Sequence, residues 1–175
     1  AGQRIAMLCI ADNLFNSSYS QLEKRFGTKV VGYTAIHRLL YTLSSGVCHS
    51  SQHALAAMLK AANNGGFNFI DNLKIYGDKA KIIKQMFTQN GFHIVYDNDN
   101  NTQIADGFYF TVAYNNMHSS MLLKNLLYYG ISAIGLINCG SNNKNGIRVC
   151  VSQVKPEQYN ILNNRLKQFN TNFTK

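Results

Sequence analysis

Acidic residues are scarce in this 175-residue chain: 8 Asp and Glu stand against 17 Lys and Arg, a net charge of +9. The acids are widely spaced, so no pair of carboxylates suggests general acid–base chemistry. One segment, Asp97-x-Asp99-x-Asn101, starts like a calcium loop. Thr102 stands where that loop needs its turn glycine and Phe108 where it needs its closing glutamate, so a plain hairpin turn is expected instead. No apolar run approaches the roughly 20 residues of a membrane span, so no membrane partner is expected. No secretion signal is visible at the start. The four cysteines, Cys9, Cys48, Cys139 and Cys150, include no C-x-x-C pair. Three lie in or beside apolar runs, where a free cysteine acts as a small buried hydrophobe, and a reducing, cytoplasmic location is expected. The phosphate-binding patterns G-x-x-x-x-G-K-[ST] and G-x-G-x-x-G are both absent.

The excess of positive charge raises nucleic acid as a partner. The basic residues are dispersed, however, and the densest group, Lys79, Lys81 and Lys84, reads as a solvated helix face. The balance reflects missing carboxylates more than a basic patch, so no nucleic-acid partner is expected; a phosphate-bearing cofactor or a carboxylate substrate suits the charge equally well. His49 and His53 stand four apart, as metal ligands on one helix face would, but the glutamate of H-E-x-x-H and a third ligand are missing, and no metal is expected. Cys48-His49 suggests thiol chemistry only weakly, because sequence neighbours point apart and nothing in the sequence orients the histidine.

Apolar content is 46%, enough for a core. Ile5–Ala11 reads as a buried strand. Ser18-Tyr19-Ser20-Gln21 has the form of a capping box, predicting a helix from about Tyr19 that bends near Gly27 or Gly32 and stops before Gly46. A second helix begins near Ser50 or Ser51 and runs to the Asn63–Gly66 stop. A third spans Asn68–Gln89, closed by Asn90-Gly91. The rhythm then turns β-rich. Phe92–Tyr96 and Gly107–Tyr114 flank a polar turn, Asp97–Gln103. A helix over "MLLKNLLYYG", strands over "ISAIGL" and Gly146–Gln153, and a helix after Pro156 complete the order. The expected class is α/β overall. Residues 1–66 form a first part with one strand and two or three helices, too small to stand alone. Residues 67–175 form a compact α+β domain with helices packed on a sheet.

Two arginines stand out. Arg4 precedes the Ile5–Ala11 run, as a strand-end residue facing solvent. Arg148 lies inside "GIRVCV", where period two puts Ile147, Val149 and Val151 on one face and Arg148 with Cys150 on the other. On pattern alone that second face is a wet sheet surface. The alternative is a planar guanidinium fork on a rigid strand, suited to bidentate capture of a carboxylate.

The order of these segments resembles the C-terminal part of the class I/II, fold-type I, pyridoxal-phosphate-dependent aminotransferases, from Gly2 to about Phe169. Gly2-Gln3-Arg4-Ile5-Ala6 resembles the family's G-x-R-[IL]-G, with Ala6 in place of the second glycine. "SSGVCHSSQHALAAML" is similar to the segment where such enzymes meet across their dimer. "NGFHIVYDNDNNTQIADGFYF" resembles the small-domain hairpin, and "LLKNLLYYGISAIGLINCG" the helix and strand that enter the substrate pocket. "NGIRVCVSQVKPEQYNILNNRLKQF" resembles the closing strand, with its Ile-Arg, and the terminal helix.

The resemblance implies that residues 1–66 are the C-terminal remnant of a large cofactor domain and residues 67–175 the small domain of a truncated PLP-transferase fold. It implies that Arg4 binds the cofactor phosphate and Arg148 the substrate α-carboxylate. The reaction implied for the intact parent moves an amino group between an amino acid and a 2-oxo acid, in a homodimer. The family's Schiff-base lysine falls just before the G-x-R, upstream of Ala1. The aspartate paired with the pyridine nitrogen and the aromatic stacked on the ring fall further upstream. The resemblance therefore implies a fragment with no catalytic residue of its own, inactive by itself. Other fold-type I enzymes, such as a lyase or decarboxylase, and a degenerate, non-catalytic homologue remain alternatives, as does a non-enzymatic basic α+β module binding RNA. Exposed aromatics on the sheet near lysines would favour that last module; a mostly packed "GFYFTVAY" would favour the enzyme.

Overall fold

The computed structural model describes residues 3–104 and 107–174. Gly2 of the Gly-x-Arg run, and Ala105 and Asp106 of the hairpin segment, lie outside the described residues. The chain is a mixed α/β protein that divides into two compact units, Ala1–Asn68 and Phe69–Lys175.

The first unit is helical. Short helices α1 (Asp12–Phe15) and α2 (Ser20–Phe26) are followed by a continuous helical stretch: α3 (Val31–Tyr33), a π-helical segment (Thr34–Leu40) and α4 (Tyr41–Ser44). Helix α5 (His49–Asn63) completes the unit. Three expectations are corrected here. Ile5–Ala11 forms no strand; it has no regular secondary structure and is almost wholly exposed, with Leu8 at 80%. No strand among the described residues of this unit offers it a partner, and an unpaired strand edge is not stable alone. The capping box does not form either. Ser18 instead bridges Val30 across the turn, with Tyr19 N–H donating to Lys29 O and Val31 N–H to Ser17 O. That bridge leaves Tyr19 as the extended N-cap residue of α2, without a side-chain cap. The single bent helix is in fact two helices, because Gly27 closes α2 in the left-handed conformation. Gly32 has a packing reason: a Cβ there would stand 2.4 Å from the Phe15 ring, which rests on the backbone of α3.

The second unit holds an antiparallel sheet in the order β1 (Phe92–Ile94), β4 (Tyr109–Tyr114), β6 (Ile147–Cys150), β5 (Ile134–Gly135). Between β1 and β4 lies a small hairpin, β2 (Asn98–Asp99) and β3 (Thr102–Gln103). Its turn residues Asn100 and Asn101 both have positive φ, 46° and 66°, the conformation that a two-residue type I′ turn requires. The calcium-like Asp97–Asn101 run is thus a hairpin turn, with Asp97 paired to Lys84 at 3.6 Å. Three helices supply the rest of the core: α6 (Phe69–Gln89), α7 (Ser119–Tyr128) and α8 (Tyr159–Phe173). Helix α7 is capped by His118, whose side chain accepts from Ser120 N–H. Helix α8 is led in by a 3₁₀ turn at Pro156–Gln158, where Gln158 Oε1 accepts from Lys155 N–H.

Period two decides which sheet face is covered. Phe110 pairs with Val149 and Val112 with Ile147. These four join Phe92, Tyr114 and Val151 in one buried cluster with Ile83 and Phe87 of α6, Leu122 and Leu126 of α7, and Leu166 and Phe169 of α8. The aromatic members meet mostly edge-to-face, Phe87–Phe92 at 5.0 Å and Tyr114–Phe169 at 5.0 Å. The alternate residues, Tyr109, Thr111, Arg148 and Cys150, occupy the other face. No helix among the described residues is long and apolar enough to cross a membrane.

Candidate functional site: the arginine face of the sheet

Arg148 is the second of the four residues of β6. Its neighbours Ile147 and Val149 are buried in the core cluster, which fixes the strand, and alternation then puts Arg148 on the opposite face. Thr111 of β4 and Ile134 of β5 flank it in register. The side chain is half-buried. Its guanidinium carbon lies over the Tyr109 ring, 4.4 Å from the centroid. Tyr109 pairs with Cys150, so it sits diagonal to Arg148 on the same face, a position that long side chains reach. Among the described residues no carboxylate and no hydrogen-bond acceptor engages the guanidinium. The result is a cation held by an aromatic face, with donors left over for an anion.

The aromatic surface continues away from Arg148. Phe108 stands edge-on to Tyr109 at 6.4 Å, and Tyr76 of α6 edge-on to Phe108 at 4.7 Å. Lys79 lies over Tyr76 at 5.8 Å, while its Nζ donates to Ser152 O at 3.4 Å. In "GFYFTVAY" the last five residues, from Phe110, are buried or half-buried, whereas Phe108 and Tyr109 are exposed at 43% and 48%.

Arg4 lies in the first unit, exposed just before Ile5–Ala11, and no carboxylate among the described residues pairs with it. An exposed guanidinium is able to pair with an anionic group, a phosphate or a carboxylate alike. Arg4 and Arg148 stand in different units. His49 and His53 are exposed on α5, and no group of three His, Cys, Asp or Glu that could hold a metal occurs among the described residues.

All four cysteines are free and exposed, against the expectation of burial for three of them. The reasons are local. Cys9 lies on the unpaired run, Cys150 shares the face of Arg148, Cys139 ends a 3₁₀ turn (Leu136–Cys139), and Cys48 is the N-cap residue of α5. The Cys48 thiol is lowered from 9.0 to about 7, first by the Ser50 hydroxyl, which lies 3.2 Å from Sγ, and then by the Ser51 backbone N–H.

Sequence reasoning passed over two features. Tyr109 becomes visible as the partner of Arg148 only once β4 and β6 are known to pair, because the diagonal depends on register. The Ser50 and Ser51 groups around Cys48 were legible as Cys-x-Ser-Ser before a helix, a signal for an activated thiol that needs no histidine. No protein-family model matches the chain, and no curated protein matches it.

Proposed function

We propose that the chain is the C-terminal part of a pyridoxal-phosphate-dependent aminotransferase, and that Arg148 binds the α-carboxylate of its amino-acid and 2-oxo-acid substrates. The observation that carries this reading is the placement of Arg148. It is a lone guanidinium on the sheet face opposite the core, fixed by buried neighbours and free of acidic partners among the described residues. A carboxylate matches such a fork bidentately, as a phosphate also does. The ordered resemblance of the segments from Gly2 to about Phe169 supplies the reaction class.

On this reading the fold is a fragment of the PLP-transferase fold. Residues 1–66 belong to the large domain, residues 67–175 are the small domain, and the enzyme is a cytoplasmic homodimer. The bound cofactor supplies the electron sink for cleaving the Cα–H bond. This chain's residues hold and orient. Arg4 binds the cofactor phosphate as a charge-assisted pair. Arg148 fixes the substrate carboxylate, which restricts rotation about Cα and sets the bond to be broken. No proton-transfer group is assigned within these residues.

One observation favours a second reading, a basic module that binds single-stranded RNA: Phe108 and Tyr109 are exposed beside Arg148 and Lys79. The packed remainder of β4, including Phe110, Val112 and Tyr114, weighs for the enzyme.

The test is product analysis of the intact parent protein, loaded with pyridoxal phosphate and given pairs of amino acids and 2-oxo acids. The expected result is one new 2-oxo acid formed for each new amino acid. Release of carbon dioxide or ammonia without amino exchange assigns a decarboxylase or lyase instead. No reaction, together with salt-sensitive binding of single-stranded RNA, assigns the binding module.

A further inference from the structure

We propose that Tyr109 is the positioning residue for Arg148, its ring holding the guanidinium in place for an incoming carboxylate. The carboxylate rests on the aminotransferase reading; the pairing of ring and guanidinium does not. Arginine is long and carries considerable rotamer freedom, which a clamp must suppress before substrate arrives. Elsewhere in the unit such freedom is removed by hydrogen bonds, as for Arg165, which donates to Gly130 O at 3.0 Å. Arg148 has no such bond among the described residues. What it has is the face of Tyr109, 4.4 Å from the guanidinium carbon to the centroid, nearer than Arg25 to Phe26 at 5.3 Å or Arg38 to Tyr33 at 5.9 Å. A cation over an aromatic face is attracted by the ring quadrupole, and the attraction strengthens as water is excluded. This contact engages the π-face of the ring and leaves the guanidinium N–H groups to donate to a ligand.

The ring is itself backed. Phe108 meets Tyr109 edge-on, and Tyr76 meets Phe108 edge-on at 4.7 Å, which ties the pair to α6. The Tyr109 hydroxyl makes no hydrogen bond among the described residues. The geometry therefore assigns the role to the ring and not to the hydroxyl, and phenylalanine should replace it where an aliphatic residue of similar bulk should not.

The experiment compares Tyr109→Phe, Tyr109→Leu and Tyr109→Ala in the intact parent, with thermal melting as the control for folding. The expected result is a KM for the amino acid near wild type in the Phe variant and raised about tenfold in the Leu and Ala variants, with kcat and cofactor affinity changed far less. Leu matching Phe overturns the proposal, because bulk alone would then suffice. A second readout is independent of turnover. In the 175-residue chain, the arginine Nε–H resonance of Arg148 should carry a ring-current shift and should move on titration with 2-oxobutanoate. Both effects should persist in Tyr109→Phe and be lost or weakened in Tyr109→Leu. A resonance insensitive to Tyr109→Leu also overturns the proposal. Ring-dependent carboxylate binding in a parent that transfers no amino group overturns the reaction and keeps the positioning role.

Discussion

Arg148 gains its meaning from its neighbours, and the same holds for other single residues. Gly32 is buried because the Phe15 ring lies on its backbone, where a Cβ would approach to 2.4 Å. Gly32→Ala must push that ring away, so it should destabilise the first unit by roughly 1–3 kcal/mol, the usual cost of overpacking. Unchanged protection of α1 and α3 amides in this variant would show that Phe15 does not rest there. Cys48 makes a prediction in pH. With Cys9, Cys139 and Cys150 replaced by serine, alkylation of Cys48 should rise with pH around a midpoint of about 7, because the thiolate is the reactive form. A midpoint near the unperturbed value of 9.0 would mean that Ser50 and Ser51 do not stabilise the thiolate.

Helix α6 and the strand after it show how a single turn sets an element. Gly91 closes the helix at φ 84°, with Gly91 N–H donating to Thr88 O, and turns the chain into β1. A Cβ at Gly91 would stand 2.6 Å from Asn170 Oδ1, the acceptor of the Tyr114 hydroxyl. Gly91→Ala therefore combines left-handed strain with disruption of that hydrogen bond, and should cost about 2–3 kcal/mol, read as a lower melting midpoint. A midpoint equal to wild type would contradict the close packing of α8 on this turn. Elements of this kind were legible in the sequence. Asn90-Gly91, the Asn63–Gly66 stop, Pro156 and the alternation in Ile147–Val151 all act through local backbone chemistry. The first unit was less legible because its structure depends on pairing. Ser18 has the residue type of an N-cap, but a bridge to Val30 takes it out of that role. Ile5–Ala11 has the composition of a buried strand, but composition does not provide partner strands. The face of Arg148 was readable from period two; the partner ring was not, because it is set by the register of β4 on β6.

Across the whole molecule the core is unevenly shared. Every buried large apolar side chain among the described residues belongs to the second unit, from Ile83 to Phe169. Among the described residues of the first unit, those buried are Gly32, Thr34 and Ser51. Apolar burial at roughly 25 cal/mol per Å² is the main source of stability, so the two units should open at different free energies. Native-state hydrogen exchange should show protection approaching the global value at Ile83, Val112, Leu126, Ile147 and Leu166, and weaker protection throughout Asp12–Asn63. Equal protection of the two units in a proven monomer would contradict this division. The proposed aminotransferase role turns on the two arginines, one in each unit, and a pair of titrations on the intact enzyme that this proposal implies separates them. Arg148→Ala should lower kcat/KM for amino acids by about 3–5 kcal/mol of transition-state binding, because it strands a carboxylate in a partly desolvated site, and should leave the affinity for pyridoxal phosphate nearly unchanged. Arg148→Lys should recover only part of the loss, since an ammonium lacks the planar fork. Arg4→Ala should weaken the cofactor instead. Full activity toward α-amino acids in Arg148→Ala would contradict the assignment of the carboxylate clamp, and with it the substrate class.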